Sequence, residues 1–187
     1  MSTEHKNTAV PTPPGVVIIE RLWEPDAPRA LKDGRVVGDN KYGVQIAVDP
    51  DTDEFEKFSN TLAHIAGVDA RVMVKMISES YRVVGDRYLQ LDPTLIILKA
   101  KSKFQPSVFD RKGKLVQPGG VHPGSVVRAL VKPFIYDSAL TRKKMLSLRL
   151  RAVLVVDSSA QIAFQANNAR ALFGDLIEAD DGEDAPF

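Results

Sequence analysis

Hydrophobic residues recur at every second position in several segments of the chain, which is the pattern of half-buried β-strands. The clearest example is residues 41–48, where Tyr42, Val44, Ile46 and Val48 alternate with less hydrophobic residues. Four further segments, rich in β-branched and aromatic residues, are also predicted strands: residues 16–23, 94–104, 126–136 and 144–156.

A different period marks residues 51–67, which are predicted to form the one helix of the chain. Asp51, Thr52 or Asp53 can cap its N-terminus, and Gly67 stands where a helix ends. Four apolar side chains recur at helical spacing and are therefore assigned to the core: Phe55, Phe58, Leu62 and Ile65. The next segment, residues 71–77, fits either a strand or a continuation of the helix.

Prolines and glycines separate these elements. We expect residues 1–15 to be a flexible arm and residues 24–40 to be a long loop. Residues 105–124 form a second loop, with a hairpin tip predicted at residues 110–114. Residues 81–91, which contain a predicted turn at 84–87, are a further strand candidate. Roughly six or more strands interrupted by one helix predict a mainly β protein, built as a closed or partly closed barrel.

Composition excludes several classes of protein. The 187 residues are 44% hydrophobic and 26% charged, as in globular proteins. The longest apolar run is five residues, at 152–156, whereas a membrane-spanning helix needs about 20. The chain has no cysteine and only three widely spaced histidines, so we expect no disulfide, no metal site and no cofactor. Residues 1–15 contain no apolar signal segment, and we therefore expect a soluble, intracellular protein.

The formal net charge of +1 conceals a strong segregation of charge. Residues 99–151 carry 13 lysines and arginines against two acids, whereas residues 175–187 carry six acids and no base. Within the basic region, residues two apart on a strand share a face. Lys99, Lys101 and Lys103 therefore point the same way in one strand, as do Arg149 and Arg151 in another.

The third basic strand, residues 126–136, places aromatic rings among its bases. Binding of single-stranded nucleic acid requires positive charge for the phosphates and aromatic rings on which nucleobases stack. Each stacked nucleobase contributes about 1–3 kcal/mol of binding free energy. Phe104 and Phe134 are equally consistent with a place in the core. For the lysines and arginines, the alternative interpretation is an ordinary solvated surface. The predicted DNA-binding residues are Lys99, Lys101, Lys103, Phe104, Phe109, Arg111, Lys112, Lys114, Arg128, Lys132, Tyr136, Arg142, Lys143, Lys144, Arg149 and Arg151.

The acidic end of the chain cannot bury enough apolar surface to fold alone and is predicted to be disordered. A solubilising tail does not require a large terminal ring, so Phe187 favours a ligand for a basic pocket on another protein. The same segment can also compete for the chain's own basic groove. The predicted partner-binding residues are Asp180, Asp181, Glu183, Asp184, Pro186 and Phe187.

Several stretches resemble the single-stranded-DNA-binding proteins of tailed-phage replication systems: residues 41–46, 98–102, 106–110, 124–129 and 146–150. The last four residues, Asp184 to Phe187, are similar to the Pro-Phe-ended tails of bacterial single-stranded-DNA-binding proteins. The resemblance implies an OB fold with an inserted helix and binding without sequence preference. It also implies frequent dimerisation, and a tail that contacts polymerase and helicase and shields the groove. The chain departs from the family at Lys144-Met145, where a glycine is expected.

Together these features predict an OB-fold-like, partly closed barrel over residues 16–173, with an acidic partner-binding tail at 174–187. The predicted function is sequence-independent binding and protection of single-stranded DNA in phage replication and recombination, in the cytoplasm of the host. The alternatives are an RNA-binding OB module and a protein–protein adaptor or structural phage protein. An enzyme is not expected, because Asp110 and Asp137 are the only acids in the basic region and both lie at predicted turns.

Overall fold

A computed structural model describes residues 9–88 and 90–160. These described residues contain nine strands and two helices, with a short 3₁₀ turn at Gly85–Arg87. In chain order the elements are β1 (Val10–Pro11), β2 (Gly15–Arg21), β3 (Arg29–Ala30), β4 (Val36–Val37), β5 (Tyr42–Val48), α1 (Asp53–Ala66), α2 (Ala70–Ser80), β6 (Ile96–Ser102), β7 (Ser107–Phe109), β8 (Val126–Asp137) and β9 (Lys144–Asp157).

Five of these strands form a ring of hydrogen-bonded neighbours. β2 pairs with both β8 and β5, and β5 pairs with β6. β9 closes the ring, because it pairs in parallel with β6 and antiparallel with β8. Two contacts in the ring are short, since β2 with β8 and β6 with β9 each share only two register pairs. The prediction of a mainly β, OB-like and partly closed barrel is confirmed.

The core lies inside this ring because apolar and polar residues alternate along the strands. Val127, Ala129 and Val131 of β8 are completely buried. Leu148 and Leu150 of β9 lie in the same core cluster and are almost completely buried. The residues between them point outward, so the two longest strands each have one apolar face and one solvent-facing face.

Helix α1 matches the sequence prediction closely. The Thr52 hydroxyl accepts a hydrogen bond from the Phe55 amide at 3.2 Å, and Gly67 ends the helix in the left-handed region with φ 68°. Phe55 and Phe58 are buried in the core, as predicted. The left-handed backbone conformation is unfavourable for residues that carry a Cβ atom but not for glycine. Gly67 therefore determines where the helix ends.

The prediction of a single helix is wrong, because residues 71–77 belong to a second helix, α2. Asp69 caps α2 by accepting a hydrogen bond from the Arg71 amide at 2.8 Å. Met73, Met76 and Ile77 form the buried stripe of α2, at the i, i+3, i+4 spacing of a helix. The valines and the isoleucine in this segment have high strand propensity, which hides the helical period in the sequence.

The predicted flexible arm is also wrong from residue 9 onward. Val10 and Pro11 form β1 along β8, opposite Val131 and Leu130. Thr12 then exchanges two hydrogen bonds with Ala129: its amide donates to the carbonyl at 2.8 Å, and its hydroxyl accepts from the amide at 3.0 Å. The segment is ordered because it completes the hydrogen bonding of an edge of β8.

The long loop predicted at residues 24–40 contains a small hairpin, formed by β3 and β4. Neither helix among the described residues is long and apolar enough to cross a membrane. Residues 1–8 of the predicted arm and residues 161–187 lie outside the described part of the chain. The second range includes the end of the predicted OB domain and the whole acidic tail.

Replacing Thr12 with valine tests whether this segment belongs to the folded domain. The change keeps the side-chain shape but leaves the buried Ala129 amide without its acceptor, which costs about 1–3 kcal/mol of unfolding free energy. Chemical denaturation of the full chain measures this loss. Thr61→Val is the control, because the Thr61 hydroxyl is exposed on α1; equal stability of the two variants would contradict the structural role of Thr12.

Candidate nucleic-acid interface

The outer faces of neighbouring strands bring basic residues into one line across the barrel. Lys101 of β6 is the register partner of Arg149 of β9, and Arg149 is the register partner of Lys132 of β8. On the other side of β6, Lys101 pairs with Gly43, which in turn pairs with Arg21 of β2. We refer to these five register partners, from Lys132 to Arg21, as the basic row.

Two aromatic rings lie beside the basic row on β8. Phe134 and Tyr136 point outward and are 43% and 42% exposed. Their ring centroids are 6.4 Å apart, and the planes differ by only 11°. The Arg149 guanidinium lies 4.2 Å from the centroid of the Phe134 ring, which is a cation–π contact. We refer to Phe134 and Tyr136 as the aromatic platform.

The sequence left Phe134 between core and surface, and the structure places it on the surface. The sequence was sufficient to predict the strand face of Phe134, because Phe134 shares that face with Lys132 and Tyr136 rather than with the buried Val131. The contact with Arg149 could not be predicted from the sequence, since it depends on the register between β8 and β9.

Tyr81 lies in the core behind this region, and its burial raises the pKa of its hydroxyl well above the ordinary value.

The hairpin between β8 and β9 carries three predicted DNA-binding residues and is anchored to α2. The Lys143 ammonium lies 3.2 Å from the Glu79 carboxylate, and the Leu146 amide donates to the Ser80 hydroxyl at 2.8 Å. Arg142 adopts a left-handed backbone, with φ 52°. Arg142 and Lys144 are exposed. These bases flank the end of β8 at which Tyr136 lies.

Arg128 is not brought together with the basic row, although it lies on the same strand. Its guanidinium is 2.8 Å from the Glu54 carboxylate of α1 and donates to the Thr12 carbonyl at 3.3 Å. It therefore faces α1 and β1, four residues along β8 from Lys132. Its contacts hold the N-terminal segment against the barrel.

The loop at residues 110–114 forms the hairpin tip that the sequence predicted. Its backbone closes through hydrogen bonds from Asp110 to the Lys114 carbonyl and from Gly113 to the Asp110 carbonyl, at 2.9 and 3.0 Å. The Lys114 amide, followed by Lys112, holds the pKa of the Asp110 carboxyl below its ordinary value despite some desolvation. This network fixes the turn that presents Arg111, Lys112 and Lys114 to solvent.

The basic residues of the 110–114 loop lie far from the aromatic platform, because the loop follows β7, which pairs with β9 at residues 152–154. Phe109 of β7 is half-buried opposite Leu154 of β9, five residues and about 17 Å beyond Arg149. Arg151 lies between them, at a β-bulge, and is exposed. Lys103 and Phe104 follow β6 and are exposed, with Phe104 reaching 81%.

Lys99 and Lys101 both point outward from β6, but their surroundings differ. Lys99 is half-buried and lies next to Gln45 in the register with β5. Lys101 makes an ion pair with Asp39, at 2.7 Å. Among residues 9–88 and 90–160, no group of three histidine, aspartate or glutamate side chains is placed to hold a metal ion.

No protein-family model matches the sequence, and no curated protein matches it. The fold is similar to that of bacteriophage single-stranded DNA-binding proteins. The protein of bacteriophage Enc34, in complex with single-stranded DNA, aligns with a TM-score of 0.53 at 12% identity, over 83% of this chain and 90% of that chain. The T7 single-stranded DNA-binding protein gp2.5 aligns with a TM-score of 0.56 at 13% identity, over 84% and 96% of the two chains.

A second structure of the Enc34 protein aligns with a TM-score of 0.56 at 9% identity, over 90% of this chain and 91% of that chain. The resemblance to phage single-stranded-DNA-binding proteins inferred from the sequence is thereby confirmed in the fold. At these identities the likeness concerns architecture, so the functional argument for this chain depends on its own side chains.

Proposed function

We propose that the protein binds single-stranded DNA without sequence preference across the outer faces of β6, β8 and β9. One observation carries the proposal: the Arg149 guanidinium packs on the exposed Phe134 ring, with Tyr136 beside it. Lys101 and Lys132 flank Arg149 in register. Two rings on β8 thus lie beside a row of cations that crosses β8, β9 and β6.

The chemistry favours a single strand over a duplex. The aromatic platform offers ring faces, and a base reaches a ring face only when it is not stacked within a helix. Every base has such a face, so stacking discriminates weakly between sequences. The flanking ammonium and guanidinium groups supply charge for phosphates and release counterions on binding. The likeness to the Enc34 protein, described in complex with single-stranded DNA, supports this function.

We further propose that the protein is non-catalytic and acts in phage DNA replication and recombination in the host cytoplasm. The acidic tail would recruit replication proteins such as polymerase and helicase. Support for the tail comes from the six acids and the aromatic Phe187 within residues 175–187. A homodimer is proposed from the family resemblance. The tail lies outside the described residues, so the argument for it rests on sequence chemistry.

Phe134→Ala tests the aromatic platform. Removing the ring should weaken binding to a labelled oligothymidylate of about 15 nucleotides by roughly 1–3 kcal/mol, which is about 5- to 150-fold. Fluorescence anisotropy with the full chain measures this change. Val36→Ala, an exposed apolar residue of β4, is the control and should bind as the wild type does. Wild-type affinity in the Phe134 variant would exclude the platform.

Arg149→Gln tests the charge contribution separately. If Arg149 neutralises one phosphate, its loss should reduce the logarithmic salt slope by about 0.7 and weaken binding to all sequences alike. Arg35→Gln is the matched control, because Arg35 is exposed and paired with Asp33 near the β3–β4 hairpin. A salt slope unchanged in the Arg149 variant would remove Arg149 from the interface.

The two alternatives give different results in the same titrations. Tighter binding to a ribose strand than to a deoxyribose strand of equal length would favour the RNA-binding module. No binding to either strand at low salt would exclude the proposed function and leave the protein–protein adaptor.

A further inference from the structure

A cleft of about 190 Å³ lies on the outer face of the barrel, at the β5–β6 side of the basic row. Its lining includes five basic side chains and two acids, Asp26 and Asp39. Three members of the basic row form part of its wall: Lys101, Gly43 and Arg21. The excess of positive charge makes an anion the complementary ligand.

Gly43 is needed where the cleft meets the sheet. A Cβ atom on Gly43 would lie 2.8 Å from the Ala100 carbonyl oxygen, which is closer than real contacts of this kind. The absence of a side chain keeps the surface low between Lys101 and Arg21, its register neighbours. A strand that follows the basic row away from the aromatic platform therefore passes directly over the cleft.

The Asp39 carboxylate occupies the position at which a phosphate would meet Lys101. Asp39 Oδ2 lies 2.7 Å from Lys101 Nζ and 3.8 Å from Lys41 Nζ. Partial burial acts to raise the pKa of the Asp39 carboxyl, but the hydrogen bond and charge of Lys101 outweigh it and leave the pKa below its ordinary value. The carboxylate is thus ionised at neutral pH and resembles one phosphodiester in charge and acceptor chemistry.

The backbone holds Asp39 in this position. Gly38 and Asn40 on either side have positive φ angles of 89° and 53°. The Asn40 amide donates to the Asp26 carbonyl at 2.8 Å, and the Asp26 amide donates to the Lys41 carbonyl at 3.0 Å. The side chains remain accessible, since that of Lys101 is 52% exposed and that of Asp39 is 33% exposed. An exposed ion pair of this kind exchanges readily for another anion.

We propose that the cleft over Gly43 binds a phosphodiester group of the strand, and that Asp39 occupies this subsite until the strand displaces it from Lys101. The inference rests on the proposed function and extends its interface from β8 and β9 across β6 to β5. Asp39 thereby lowers the affinity for the strand, because part of the attraction of Lys101 is used within the protein.

Asp39→Asn in the full chain is the direct test. Asparagine keeps the shape and an acceptor oxygen but removes the competing charge. Affinity for the labelled oligothymidylate should increase on the order of two- to fivefold, the range of an exposed ion pair. The salt slope should change little, because Lys101 neutralises the same phosphate in both proteins and the slope counts neutralised phosphates. Thermal unfolding checks that the variant is folded.

Asp33→Asn is the matched control, because it changes the net charge equally. Asp33 pairs with Arg35 at 2.6 Å outside the cleft lining, and its loss should leave affinity nearly unchanged. Lys101→Met supplies a second, independent test. It should weaken binding by itself, and Asp39→Asn added to it should produce no further gain.

Equal affinities of the Asp39 and Asp33 variants would overturn the inference, as would a gain that persists without Lys101. These results are distinct from failure of the proposed function. If the wild-type chain binds no single strand at low salt, the proposed function fails; if it binds and only the Asp39 effect is missing, the subsite alone is excluded.

Discussion

The pairing of β8 with β9 is the interaction on which both the core and the interface depend. The two strands, of 12 and 14 residues, stay paired from Val126–Asp157 at one end to Asp137–Lys144 at the other. Because side chains alternate along a strand, this one pairing fills the barrel with valine and leucine and aligns Lys132, Arg149 and the aromatic platform outside. A register slip of one residue would exchange the two faces.

The outer face carries a local electrostatic cost. Lys132 and Arg149 lie directly opposite each other, and like charges in that position destabilise a sheet. The Phe134 ring offsets part of this cost through its contact with the Arg149 guanidinium. This clustering of positive charge on one face is consistent with the proposed binding of a negatively charged strand.

The periods of the sequence were sufficient to predict the main strands, helix α1 and the outward face of the bases. They were not sufficient for α2, whose strand-favouring residues conceal the helical stripe, or for β1, whose two residues carry no period. Contacts distant in sequence were also hidden: Lys101 meets Asp39, Lys143 meets Glu79, and Arg128 meets Glu54. Composition does not distinguish among the 13 lysines and arginines of residues 99–151. The strand register and these ion pairs separate those in the basic row from those, such as Arg128 and Lys143, that contact acids elsewhere in the fold.

The most direct test of the account is photochemical cross-linking of an oligothymidylate to the full chain, with the adducts located by mass spectrometry. Stacking on the aromatic platform predicts adducts at Phe134 or Tyr136, which lie together on β8, and their loss in a Phe134→Ala, Tyr136→Ala double variant. Efficient cross-linking confined to other aromatic residues, such as Trp23 or Phe104, would contradict the placement of the strand on the platform.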